Sequence, residues 1–162
     1  MKPINDVISP LKEAIRRGSL VVVGMGNRDR ADDGFGLDLA ERLKDHWPGL
    51  VFSEEDLSVE GIVFDLIERD DIEVIVFVDA TNFGGEVGDL RLFDVYDAER
   101  FVPSFSTHKV PITLLMGVAD QRKKTSFLLG IQPKDTTLFS SMTPGISSRL
   151  EDLVQVFINT KA

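Results

Sequence analysis

The stretch Glu73-Val-Ile-Val-Phe-Val-Asp79-Ala-Thr-Asn-Phe-Gly-Gly-Glu-Val-Gly-Asp89-Leu-Arg-Leu-Phe-Asp94 decides the fold. Val74–Val78 is an unbroken β-branched and aromatic run, the pattern of a strand buried on both faces. Asp89–Asp94 sets Leu90 and Leu92 against Arg91 and Phe93 and reads as a further strand. Only nine residues, three of them glycine, separate Asp79 from Asp89. A crossover between parallel strands needs about a dozen residues or more. The second of these strands is therefore expected to run antiparallel to the first.

Outward from this hairpin-like pair, strands and helices alternate. Toward the N-terminus, Leu20–Val23 is an apolar run ended by Gly24-Met25-Gly26-Asn27, and Leu50–Phe52 is a short second strand. Between them Phe35, Leu39, Leu43 and Trp47 recur at i+4. This spacing predicts a helix from Gly34 to about His46, closed by Trp47-Pro48-Gly49. Gly61–Glu68 is a second helix, carried by Ile62, Val63, Leu66 and Ile67. Ahead of all these, Ser9 can cap a short helix with Pro10 in its first position and Gly18 as its stop. Toward the C-terminus, Ser126–Ile131 is the fifth strand. Thr143-Pro144 opens a last helix with the stripe Ile146, Leu150, Leu153, Val154 and Phe157. Val95–Thr107 is expected to return extended across the molecule, which puts His108 on the upper rim at the start of a helix to Gln121. Such alternation implies an α/β sandwich with one five-stranded mixed sheet, its fourth strand antiparallel. Residues 1–162 read as one domain, with 1–18 as an N-terminal helical extension.

Composition narrows the function. The 18 basic and 27 acidic residues leave a net charge of −9, which argues against nucleic acid and against an anionic membrane surface as partners. There is no cysteine. Disulfides, Cys-type zinc sites, iron–sulfur clusters and Cys nucleophiles on this chain are thereby excluded. No apolar run is long enough to span a bilayer, and the N-terminus lacks the apolar core of a signal peptide; a cytoplasmic protein is expected.

Ligands of open α/β sheets lie outside the carboxyl ends of the parallel strands. Asp32-Asp33 after the first strand, Asp79 at the end of the third and His108 converge on that rim. The dinucleotide fingerprint fails there, because Gly24-x-Gly26 has Asp29 where the third glycine should stand, and the carboxylates of the loop would repel a pyrophosphate. No P-loop and no Gly-x-Ser-x-Gly elbow is present. One of Asp32 and Asp33 is expected to cap the helix at Gly34. Asp79 has a structural alternative too, holding the N–H groups of the Thr81–Gly85 turn. His46, beside Trp47 at the end of a helix, reads as structural. Together, Asp33, Asp79 and His108 supply two carboxylates and an imidazole. That set suits a borderline divalent ion such as Ni²⁺, Mn²⁺, Fe²⁺ or Zn²⁺, with coordination positions left open. Two carboxylates sharing a proton as an acid–base pair fit the same residues.

Five motifs in order complete the pattern: Gly-Met-Gly-Asn27-x4-Asp32-Asp33-Gly34-x-Gly36; Phe77-Val-Asp79-Ala-Thr81; Ser106-Thr107-His108-x2-Pro111; Leu129-Gly-Ile-Gln132-Pro133; and Met142-Thr-Pro144. This ordered set resembles the hydrogenase maturation endopeptidases, which trim the C-terminus of the large subunit of [NiFe] hydrogenases. The closest likeness is to the branch serving hydrogenases of the formate-hydrogenlyase type. The resemblance implies a three-layer α/β/α sandwich and an endopeptidase, aspartic-type by family classification. It also implies a metal-contacting triad at Asp33, Asp79 and His108 that doubles as the catalytic set. The substrate would be the precursor of the large subunit, carrying Ni²⁺ on its own cysteines, and no organic cofactor is implied. Two departures stand out. Met1–Gly18 precedes the strand with which relatives usually begin. Where many relatives have an Asp-Gly-Gly turn after the second strand, this chain has Glu54-Glu55-Asp56-Leu57-Ser58. The rival reading is a nickel-sensing chaperone that docks on the large subunit without cutting it.

Overall fold

The computed structural model describes residues 1–102 and 110–162. Five strands form one sheet: β1 (Leu20–Gly24), β2 (Val51–Ser53), β3 (Val74–Ala80), β4 (Leu90–Phe93) and β5 (Thr125–Ile131), in the order β2-β1-β3-β5-β4. All neighbours are parallel except β4 and β5. The expected mixed sheet is therefore present, with the fourth strand reversed. Its partner is β5, with Leu90 opposite Ile131 and Phe93 opposite Leu128. The nine-residue link from β3 thus steps over the β5 position to the edge of the sheet.

Alternate residues of the central strands feed two cores, as a pleat requires. Val22, Val76, Val78 and Leu129 face one side. There they meet α1 (Ile4–Val7), α2 (Lys12–Arg17), α3 (Phe35–Leu43) and α7 (Pro144–Lys161). Val21, Val23, Ile75, Phe77 and Leu128 face the other side. They meet α4 (Val59–Leu66), α5 (Val95–Phe101) and α6 (Ile112–Gln121). The result is the three-layer α/β/α sandwich. In the first layer Trp47 packs on Phe157 with ring centroids 5.5 Å apart.

Three local expectations need correction. The N-terminal helical segment begins at Ile4, and Ser9 does not cap it: Ser9 Oγ donates to Asp6 O at 3.1 Å, and Ser9–Leu11 is a 3₁₀ turn. Ile4, Val7, Ile8, Leu11, Ala14 and Ile15 are all buried, so the extension is part of the first core. Val95–Phe101 is a helix rather than extended chain. Asp94 caps it by accepting the Asp97 N–H at 2.8 Å. Ala98 is the one residue of this helix that is buried, so no apolar stripe announces it. The helix expected from His108 starts at Ile112, with Pro111 at its N-cap.

Candidate active site

Above the carboxyl ends of β1 and β3, the loop leaving β1 meets the start of α3. Met25 N–H donates to Val78 O at 2.9 Å, which keeps the loop beside β3 for one residue past the strand. Gly26 follows with φ +134°. A Cβ there would run into the main-chain oxygen of Asp33 and lie 3.4 Å from Asp79 Oδ1. A Cβ on Gly36 would run into the main-chain oxygens of Val78 and Met25. At both positions only glycine allows the close approach. That approach seats α3 on the strand ends and brings the Asp33 main chain and the Asp79 carboxylate close to Gly26. Asn27 N–H then donates to Asp33 O at 3.0 Å and closes the loop.

Each acidic residue has its own environment. Asp33 is half-buried in the single turn Ala31–Gly34 that leads into α3. Gly34, the N-cap of α3, has no side chain to cap with, and the side-chain hydrogen bonds of Asp32 go elsewhere, so Asp32 does not have the capping role expected for one of the two aspartates. Asp32 is fully buried. Its Oδ2 accepts from Lys134 N–H, Asp135 N–H and Thr143 Oγ1, each at 2.9 Å, and its Oδ1 accepts from Thr143 N–H at 2.7 Å. Asp32 thus clamps the chain between β5 and α7. Asp79 is half-buried near the end of β3, where Oδ1 accepts the Ala80 N–H at 2.8 Å.

The Phe83, Gly84 and Gly85 N–H groups of the following turn have other acceptors. Gln132 Oε1 accepts from Phe83 at 2.9 Å and from Gly85 at 3.1 Å. Asn82 Oδ1 accepts the Gly84 N–H at 3.3 Å and Gln132 Nε2 at 3.0 Å. Gln132, which the residue-by-residue reading passed over, carries the structural duty considered for Asp79. Its sequence signal is a polar residue placed directly after a buried strand.

His108 lies outside the described residues. His46 is exposed beyond the far end of α3. Among the described residues, no group of three or more His, Asp or Glu side chains is arranged to hold a metal ion. The described part of the candidate site is therefore the aspartate pair.

A cleft of about 480 Å³ opens at Gly26, walled by Gly26–Asp29 on one side and by Glu54 and Glu55 on the other. Arg28 Nε bonds both carboxylate oxygens of Glu55, at 2.8 and 2.9 Å, and Arg28 Nη1 pairs with Asp38. Partial burial pulls the Arg28 guanidinium down, but the hydrogen bond to Glu55 and the charges of Asp38 and Glu55 outweigh it, leaving its pKa raised. Arg28 stays a cation and ties the two walls together.

Comparison with known proteins places this chain in a family. The family model for hydrogenase maturation protease, HycI, matches residues 60–160. The chain belongs to the hydrogenase maturation protease family. Hydrogenase 3 maturation protease of Escherichia coli K12 is 29% identical over 140 residues, which cover 83% of this chain and 86% of that one. The crystal structure of a [NiFe] hydrogenase maturation protease HycI from Thermococcus kodakarensis KOD1 superposes with a TM-score of 0.77 at 29% identity. It covers 98% of this chain and 97% of its own. The solution structure of endopeptidase HycI from Escherichia coli follows at 0.72 and 25%, over 89% of this chain and 92% of that one. The resemblance read from the five motifs and the fold it implied thus agree with the family. Among the described residues no helix is long and apolar enough to cross a membrane.

Proposed function

We propose that this protein is a cytoplasmic endopeptidase that removes the C-terminal extension of a [NiFe]-hydrogenase large-subunit precursor once nickel has been inserted. The observation that carries the reading is the division of labour on the rim. Gln132 takes the Phe83 and Gly85 N–H groups of the turn for which Asp79 was a candidate acceptor, and the buried Asp32 is committed to the chain between β5 and α7. Asp33 and Asp79 are both half-buried, and the Asp33 main-chain oxygen and the Asp79 carboxylate both approach Gly26, which lines a cleft. An aspartate pair at a strand end, where ligands of such sheets collect, suits recognition of a cation.

In this reading the Ni²⁺ is part of the substrate. Asp33, Asp79 and His108 donate to coordination positions that the substrate's own ligands leave open. The ion then serves as the latch that sets the scissile bond at the rim. A carboxylate of the pair, or the ion acting on the carbonyl, prepares the bond for attack by water. A precursor without nickel has nothing for the aspartates to hold, so insertion of the metal gates the cut.

The test mixes purified protein with large-subunit precursor, nickel-free or nickel-loaded, and follows the precursor mass. Loss of the C-terminal extension only from the loaded form, abolished by His108→Ala, is expected. Cleavage of both forms at one rate would overturn the gating. Full-length precursor persisting in a stable complex would favour the docking chaperone.

A further inference from the structure

We infer that Glu54 is a positioning residue for the aspartate pair, acting through the Gly26 amide. The inference rests on the site proposed above and adds a residue to it. Glu54 directly follows β2, and it is fastened at both ends. Its own N–H donates to Gly24 O at 3.0 Å, which prolongs the β1–β2 ladder by one rung. Its half-buried side chain reaches back over the loop, and Oε1 accepts the Gly26 N–H at 2.5 Å. Gly26 is the residue against which Asp33 O and Asp79 Oδ1 both pack.

Gly26 is therefore held between Glu54 and the two aspartates. Its φ of +134° suits glycine and leaves the backbone intrinsically free to turn, so it needs outside contacts to stay put. Asn27 N–H, on the next peptide, depends on the same placement for its bond to Asp33 O. Next along the chain, Glu55 holds Arg28. Two successive carboxylates thus fasten two successive stretches of the β1–α3 loop. A shift of about 1 Å in a reacting group can cost about 100-fold in rate. Loss of the Glu54 contact lets the loop make a shift of that kind without unfolding the sheet beneath it.

A contact made by reach and a contact made by charge respond oppositely to two substitutions. Glu54→Gln keeps the length and an acceptor oxygen but loses the charge. Glu54→Asp keeps the charge and falls short of the amide. The experiment measures kcat and KM for nickel-loaded precursor and, separately, hydrogen exchange at the Gly26 amide by NMR, which needs no substrate. Expected are Gln within about threefold of wild type, Asp about 10- to 100-fold lower in kcat with KM little changed, and faster Gly26 exchange in Asp than in Gln. The reverse order, equal loss in both, or no loss in either would overturn the inference. If wild type itself leaves the loaded precursor uncut, the function reading fails; the Gly26 exchange order then decides the Glu54 contact by itself.

Discussion

Asp32 and Asp33 are adjacent and chemically identical, yet they serve two different regions. Asp32 points into the chain between β5 and α7, is fully buried, and meets three N–H groups and a hydroxyl. Asp33 is half-buried, with its main-chain oxygen against Gly26 of the loop that leaves β1. The same side chain is a structural clamp on one side and a candidate functional group on the other. What separates them is burial: Asp32 is wholly enclosed, and Asp33 is not. A carboxylate with four donors in hand is spoken for, since a buried acceptor of this kind contributes mainly by what its loss leaves unsatisfied.

That contrast can be broken by substitution. Asp32→Ala strands several buried donors and should lower unfolding free energy by about 4 kcal/mol in a urea titration. Any loss of cleavage would follow the loss of folded protein. Asp33→Asn or Asp79→Asn should do the opposite: stability within about 1 kcal/mol of wild type, with precursor cleavage down at least about 100-fold, roughly 2.7 kcal/mol of barrier. If Asp33→Asn unfolds the protein, or if it cuts normally, the two residues have not been told apart. Gln132→Ala removes the acceptor of two turn amides and should cost about 2 kcal/mol of stability. A large fall in cleavage at unchanged stability would instead move Gln132 to the functional side.

The smallest effect has the other sign. Phe139 sits on the clamped side at φ +63°, with its side chain 81% exposed, while its N–H donates to Asp29 O at 2.5 Å. A bulky residue at positive φ is strained, and glycine is not. Phe139→Gly should therefore raise stability by about 0.5–1 kcal/mol, read as a higher Tm. A lower Tm would mean that the ring packs where it now looks exposed.

How much of this was legible beforehand follows from the range of each interaction. The central strands were readable to within about a residue, because a β-branched run is a local signal, and the reversal of β4 followed from the length of one connection. Helix α5 was not readable: one buried alanine makes no stripe, and its cap, Asp94, closes the preceding strand pattern. The roles of Asp32, Gln132 and Glu54 were hidden for a different reason. Asp32 bonds residues 102 to 111 positions away, Gln132 bonds a turn 47 to 50 positions back, and Glu54 reaches a glycine 28 positions back. No periodicity records a partner at such distances. Asp33 and Asp79 were legible as candidates because strand ends could be located, and strand ends are where this sheet type keeps its ligands.

The most direct measurement is nickel X-ray absorption on the loaded large-subunit precursor, alone and mixed with this protein at a temperature that stops turnover. The expected result is added oxygen and nitrogen scattering at the metal with wild type, reduced with Asp33→Asn or Asp79→Asn. A nickel shell unchanged by the wild-type protein, while cleavage proceeds on warming, would contradict recognition of the ion by the aspartate pair.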